Sequence, residues 1–213
     1  MTQHKSQHPT NRGKPTYGFA GLVSFLRTPV CHNLDQLDAD IAVMGAPTDE
    51  GSPFMPGSRF GSRSIREQSL RFGANGVGYF DHDTNKVFLE YELDNNRIVD
   101  VGDANVIPTD VEGTFENITN LTRMVLDKGA MPVVLGGDHA ITFPVVRAYN
   151  EPLHVVHFDA HIDYSPFIHG FEYTNSHAFR HIHHMDHVKS LTQVGIRSVR
   201  NNKAWIDDSI SPK

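Results

Sequence analysis

Five short apolar runs punctuate the chain: IAVMGA (41–46), RIVDVG (97–102), PVVLGG (132–137), LHVVHF (153–158) and LTQVGI (191–196). They are rich in Val, Ile and Leu with little alternation, the pattern of strands covered on both faces of a parallel sheet. Two intervening segments read as helices, SRSIREQSLRF (62–72) and DVEGTFENITNLTRMVLDKG (110–129). In the second, Phe115, Ile118, Leu121, Val125 and Leu126 recur near a period of 3.6, with Asp110 placed to cap the start and Gly129 the end. Strand followed by helix, repeated, predicts right-handed crossovers and an open, mostly parallel sheet in an α/β fold. The Pro- and Gly-containing segment 47–64 follows the first strand. It lies where ligands bind in such sheets, beyond the carboxyl ends of the strands.

Composition narrows the function classes. The 213 residues, 38% hydrophobic and 21% charged, suit one domain with a sizeable core. A net charge of −6 and the lack of any Lys/Arg block argue against nucleic acid as a partner. No apolar stretch reaches the ~18 residues of a membrane span, which argues against a membrane partner. Residues 1–17 read as a polar N-terminal arm without the apolar core of a signal peptide, leaving 18–213 as the domain. The single cysteine, Cys31, forms no internal disulfide, and a cytoplasmic location is the simplest expectation.

The chemistry collects at the ends of two strands. In HFDAHIDY (157–164), Asp159, His161 and Asp163 fall at every second position, which in extended backbone points them to one side. Two carboxylates and an imidazole aimed at one point call for a cation. A straight strand at ~3.3 Å per residue would separate the first and last by roughly 13 Å, too far for one ion. The spacing therefore predicts a curl after His161, two ions ~3.5–4 Å apart, or both. In LGGDHAIT (135–142), a strand runs into Gly136-Gly137 and His139 emerges at its end. If the two strands are neighbours, His139, Asp159, His161 and Asp163 share one cleft. This oxygen-rich set without cysteine suits manganese, with nickel or iron as alternatives. Asp138 reads as a turn former. His157 shares the face of Asp159 and could stand behind the metal ligands, but reads first as a buried, hydrogen-bonded histidine. His177, His181 and His184 keep helical spacing. The run reads mainly as a solvated helix face, but His177 comes first and is a candidate acid or base.

GGDHAIT and HFDAHIDY together resemble the two leading metal motifs of the ureohydrolase superfamily, which holds arginase and agmatinase. PFMPGSRFGSRSIREQS resembles the agmatinase-type loop, with Ser62 where proline is usual, and SHAFRHI is similar to the segment bearing the active-site histidine. The resemblance runs from about residue 38 to about residue 200. It implies a three-layer α/β/α fold, a homo-oligomer and a pair of Mn(2+) ions. Carried over, His139 and Asp163 bind one ion, His161 the other, Asp159 bridges both, and His177 moves protons. The implied reaction is attack of a metal-bridging hydroxide on a small guanidino substrate of the agmatine or guanidinobutyrate type, releasing urea. A formimino-group hydrolase or a truncated non-catalytic chain are the alternatives. The superfamily's later Asp-x-Asp strand has no counterpart here, since Asp207 and Asp208 are adjacent, so the domain is expected to lack its C-terminal part.

Overall fold

The computed structural model describes residues 17–73 and 78–211; of the expected N-terminal arm, all but Tyr17 lies outside them. Strands β1 (Ile41–Ala46), β4 (Ile98–Asp103) and β5 (Met131–Gly136) form a parallel sheet in the order β4-β1-β5. A hairpin of β2 (Tyr79–Asp81) and β3 (Lys86–Phe88) follows the first helix, α1 (Gly61–Ser69), and a short helix α2 (Glu90–Asp94) leads into β4. Helix α3 (Val111–Asp127) connects β4 to β5, and α4 (Thr142–Arg147) connects β5 to β6 (Leu153–Phe158). Helix α5 (Ala178–His183), strand β7 (Val188–Val194) and α6 (Lys203–Ser209) complete the chain described.

The three-stranded sheet is covered on both sides. Ala42 of β1 shares a buried cluster with Val125 of α3, whereas Val43 packs with Ile98 and Leu135 on the opposite face. There α1 lies across the sheet, and the Ser62 hydroxyl donates to the Leu135 carbonyl at 2.7 Å. Asp110 caps α3 by accepting from the Gly113 N–H at 2.8 Å, and Gly129, at φ +76°, ends it as expected.

Two expectations are corrected. The five strands do not form one continuous ladder: β6 and β7 pair in parallel with each other, and no backbone hydrogen bond among the described residues joins β5 to β6. The β6–β7 unit is held instead by side-chain packing, with Val146 of α4 buried among Phe179 and Ile182 of α5 and Val188 of β7. Nor is β6 covered on both faces. His157 is buried, but Val156 and Phe158 are 56% and 77% exposed, because no described helix lies over that side.

Candidate metal centre

The site forms where the tips of β5 and β6 meet. After β5, Asp138 accepts the Ala140 N–H through Oδ1 at 2.8 Å and caps a short 3-10 turn, which aims His139 inward. Burial raises the Asp138 pKa. This is the turn-forming role expected of Asp138.

After Phe158 the chain leaves the strand and curls, with Asp163 at φ +45°. The Asp159 carboxylate starts the curl, since its Oδ1 accepts the His161 N–H at 2.8 Å. The alternation that suggests three side chains on one strand face therefore lies outside the strand, and a curl replaces it. His139 Nδ1 lies 2.7 Å from Asp163 Oδ2 and 3.3 Å from Asp159 Oδ2. Ligand atoms of His139, His157, Asp159 and Asp163 all lie within 4.8 Å of one another.

His161 is not in that group. Its side chain is 54% exposed and its Nδ1 sits 3.2 Å from the other Asp159 oxygen, Oδ1. The two oxygens of Asp159 thus face different imidazoles, Oδ2 toward His139 and Oδ1 toward His161. A carboxylate placed between two donor groups in this way has the disposition of a bridge.

The electrostatics follow from these contacts. Burial works against the charged form of His139, but the Asp163 and Asp159 carboxylates outweigh it and raise its pKa. Burial also opposes ionisation of Asp159, yet the His161 N–H and the nearby imidazoles lower its pKa overall. The pKa of His157 is lowered by burial and by His139, against the pull of Asp163 and Asp159.

His177 stands apart from the cluster. It is buried, its Nδ1 lies 2.7 Å from the Thr174 hydroxyl and its Nε2 3.2 Å from the Pro166 carbonyl. Burial, first, lowers its pKa. His181 does not face solvent as part of a polar helix face either. Its ring stacks on Phe143 with centroids 4.3 Å apart, and its Nε2 meets the Glu172 carbonyl at 2.6 Å. Asp207 and Asp208 lie on α6, paired with Lys203 and Arg180, away from the metal cluster.

His157 is the buried, hydrogen-bonded histidine expected, with its Nδ1 2.9 Å from the Gln193 amide nitrogen, and it also adjoins the cluster.

The loop after β1 is organised by a second carboxylate. Asp49, buried, accepts the N–H groups of Gly57 at 2.6 Å and Arg59 at 3.1 Å and pairs with the Arg59 guanidinium, which lowers its pKa to about 2. One helix further on, Arg66 is buried with Nε 2.8 Å from Asp100 and Nη1 2.5 Å from Asp103.

The family model named "Arginase family" matches residues 39–211, and the chain belongs to that family. Proclavaminate amidinohydrolase of Streptomyces clavuligerus is 34% identical over 188 residues, covering 84% of this chain and 55% of that protein. Its solved structure superposes with a TM-score of 0.76 at 29% identity, over 91% of this chain and 62% of the other. Mitochondrial agmatinase of Gallus gallus is 36% identical over 152 residues, covering 68% of this chain and 40% of that one. Trypanosoma cruzi formiminoglutamase, solved with Mn2+, shares the fold with a TM-score of 0.68 at 21% identity, over 80% of this chain and 57% of the other. The chain thus spans about half the length of the curated relatives it matches. The fold is the three-layer α/β/α arrangement of the arginase family. Among the described residues, no helix is long and apolar enough to cross a membrane.

Proposed function

We propose that this chain supplies the strand-tip half of the metal centre of a hydrolase that cleaves a linear guanidino compound of the agmatine or guanidinobutyrate type, releasing urea. The observation that carries the reading is Asp159, whose two oxygens face His139 and His161 from opposite sides. His139, Asp163 and Asp159 would hold one divalent ion, and His161 with Asp159 a second. Two carboxylates, two imidazoles and no thiolate fit manganese, with nickel as the alternative. Such ions, when bound, lower the pKa of water and place it against an unreactive guanidinium carbon.

The chain's own groups have separate tasks. Asp159 and Asp163 would provide the negative charge that retains the ions, and partial burial of these carboxylates reduces the screening of that attraction. His177, with its Nδ1 meeting the Thr174 hydroxyl and its pKa lowered by burial, is the histidine the resemblance assigns to proton exchange with the leaving amine. Similarity to an amidinohydrolase and an agmatinase supports the guanidino class. We further read the protein as cytoplasmic and homo-oligomeric.

The test is a chimaera of this chain with the part of the Streptomyces clavuligerus protein that lies beyond the match. It is assayed with manganese on agmatine, guanidinobutyrate, guanidinopropionate and a formimino amino acid. Urea from the guanidino compounds, absent in Asp159→Asn, supports the reading. A cooperatively folded, manganese-loaded chimaera that releases urea from none of them overturns it.

A further inference from the structure

The buried imidazole of His157 adjoins the donor groups of His139, Asp159 and Asp163. His157 on β6 and Gln193 on β7 are direct partners in the parallel register, so their side chains share one face of the sheet. The Gln193 amide nitrogen lies 2.7 Å from the Ile162 carbonyl oxygen and 2.9 Å from His157 Nδ1. The carbonyl can only accept, so the amide must present its NH2 there. With one hydrogen on Ile162, the other points at Nδ1, which must then be the bare acceptor nitrogen. The proton of a neutral His157 is thereby placed on Nε2. Phe179 fixes the ring plane by stacking at 3.7 Å.

That Nε2 is fully buried and has no hydrogen-bond partner, and Asp159 Oδ2 lies 3.5 Å away. A nitrogen that carries a proton cannot also bind a cation. We infer that Gln193 and His157 form a positioning pair, in which Gln193 fixes the Nε2–H tautomer and His157 directs that N–H at the Asp159 carboxylate. Asp159 Oδ2 has lone pairs for both an ion and this donor, so the pair orients the bridging carboxylate without competing for the metal. The second half of this inference rests on the metal-centre reading above, whereas the tautomer does not.

The test has two arms on the 213-residue chain. Long-range 1H–15N NMR of metal-free, histidine-labelled protein, with His157→Gln identifying the resonances, is expected to show a protonated Nε2 and a bare Nδ1. Gln193→Leu is expected to release the Nδ1–H form. A protonated Nδ1 in the wild type, or no change in Gln193→Leu, overturns the tautomer assignment. In manganese titrations followed by electron paramagnetic resonance, His157→Leu is expected to weaken binding about 10–100-fold, the usual effect of losing such a partner. His157→Gln, which keeps an N–H donor, is expected to recover most of that loss. Equal affinity in wild type and His157→Leu overturns the role, and equally severe loss in both variants marks His157 as a direct ligand and overturns it too. Absence of manganese binding by the wild type contradicts the metal-centre reading and leaves the NMR arm to decide the tautomer.

Discussion

His139 Nδ1 and Asp163 Oδ2 approach to 2.7 Å although they follow strands, β5 and β6, that share no backbone hydrogen bond among the described residues. The contact joins two separate sheets at their carboxyl-terminal tips. Its consequence is that the site is assembled by turns and curls rather than by a ladder, so the elements that shape those turns govern it.

The buried Arg66–Asp100 pair anchors α1, and with it the loop after β1, to the middle of β4. Both side chains are almost fully buried, so Arg66→Leu leaves the Asp100 carboxylate without its cation. Breaking such a pair costs about 3–5 kcal/mol, to be read from urea denaturation. A loss below about 1 kcal/mol would show that α1 is held by other contacts.

Asp49 sets a pH dependence. Its folded pKa, about 2, lies below the ordinary 3.8 because Arg59 and two backbone N–H groups favour the charged form. Its stabilisation is therefore fully present above the unfolded value and is lost as pH falls through the window from 3.8 toward about 2. Stability of the wild type is expected to fall more steeply across that window than that of Asp49→Asn. Parallel curves would contradict the pairing.

Ser62→Ala removes the donor to the Leu135 carbonyl while leaving the helix intact. The expected loss is about 1–2 kcal/mol, since the acceptor is buried. Thermal melts of the two proteins decide it, and an unchanged midpoint would show the bond to be incidental.

Much of this was legible in the sequence because it is written locally. The run IAVMGA coincides with β1 at both ends, and the 3.6-residue period with its Asp and Gly caps gives α3 to within a residue or two. Strand β7 begins at Val188, three residues before the expected start, because exposed Lys189 and Ser190 conceal its first half. The hairpin at 79–88 was not read, having only three residues per strand. Strand adjacency is not a local property, and so the split between β5 and β6 could not be read from apolar runs. His161 departs from the cluster for a similar reason. The alternating spacing assumes extended backbone, but the Asp159 carboxylate turns the chain immediately.

The 213-residue chain on its own is expected to hydrolyse guanidines negligibly. His139, Asp159, His161 and Asp163 must serve two ions, which gives each only two or three protein donors. Urea release by the purified chain with manganese, at rates comparable to the chimaera, would contradict this.

The claim beneath all the others is that Asp159 would hold divalent cations at this site. Manganese titration of the purified chain, wild type against Asp159→Asn, measures it directly. The account predicts saturable binding that the substitution abolishes and that Asp163→Asn and His161→Ala each weaken. Binding absent from the wild type, or unchanged in Asp159→Asn, would contradict it.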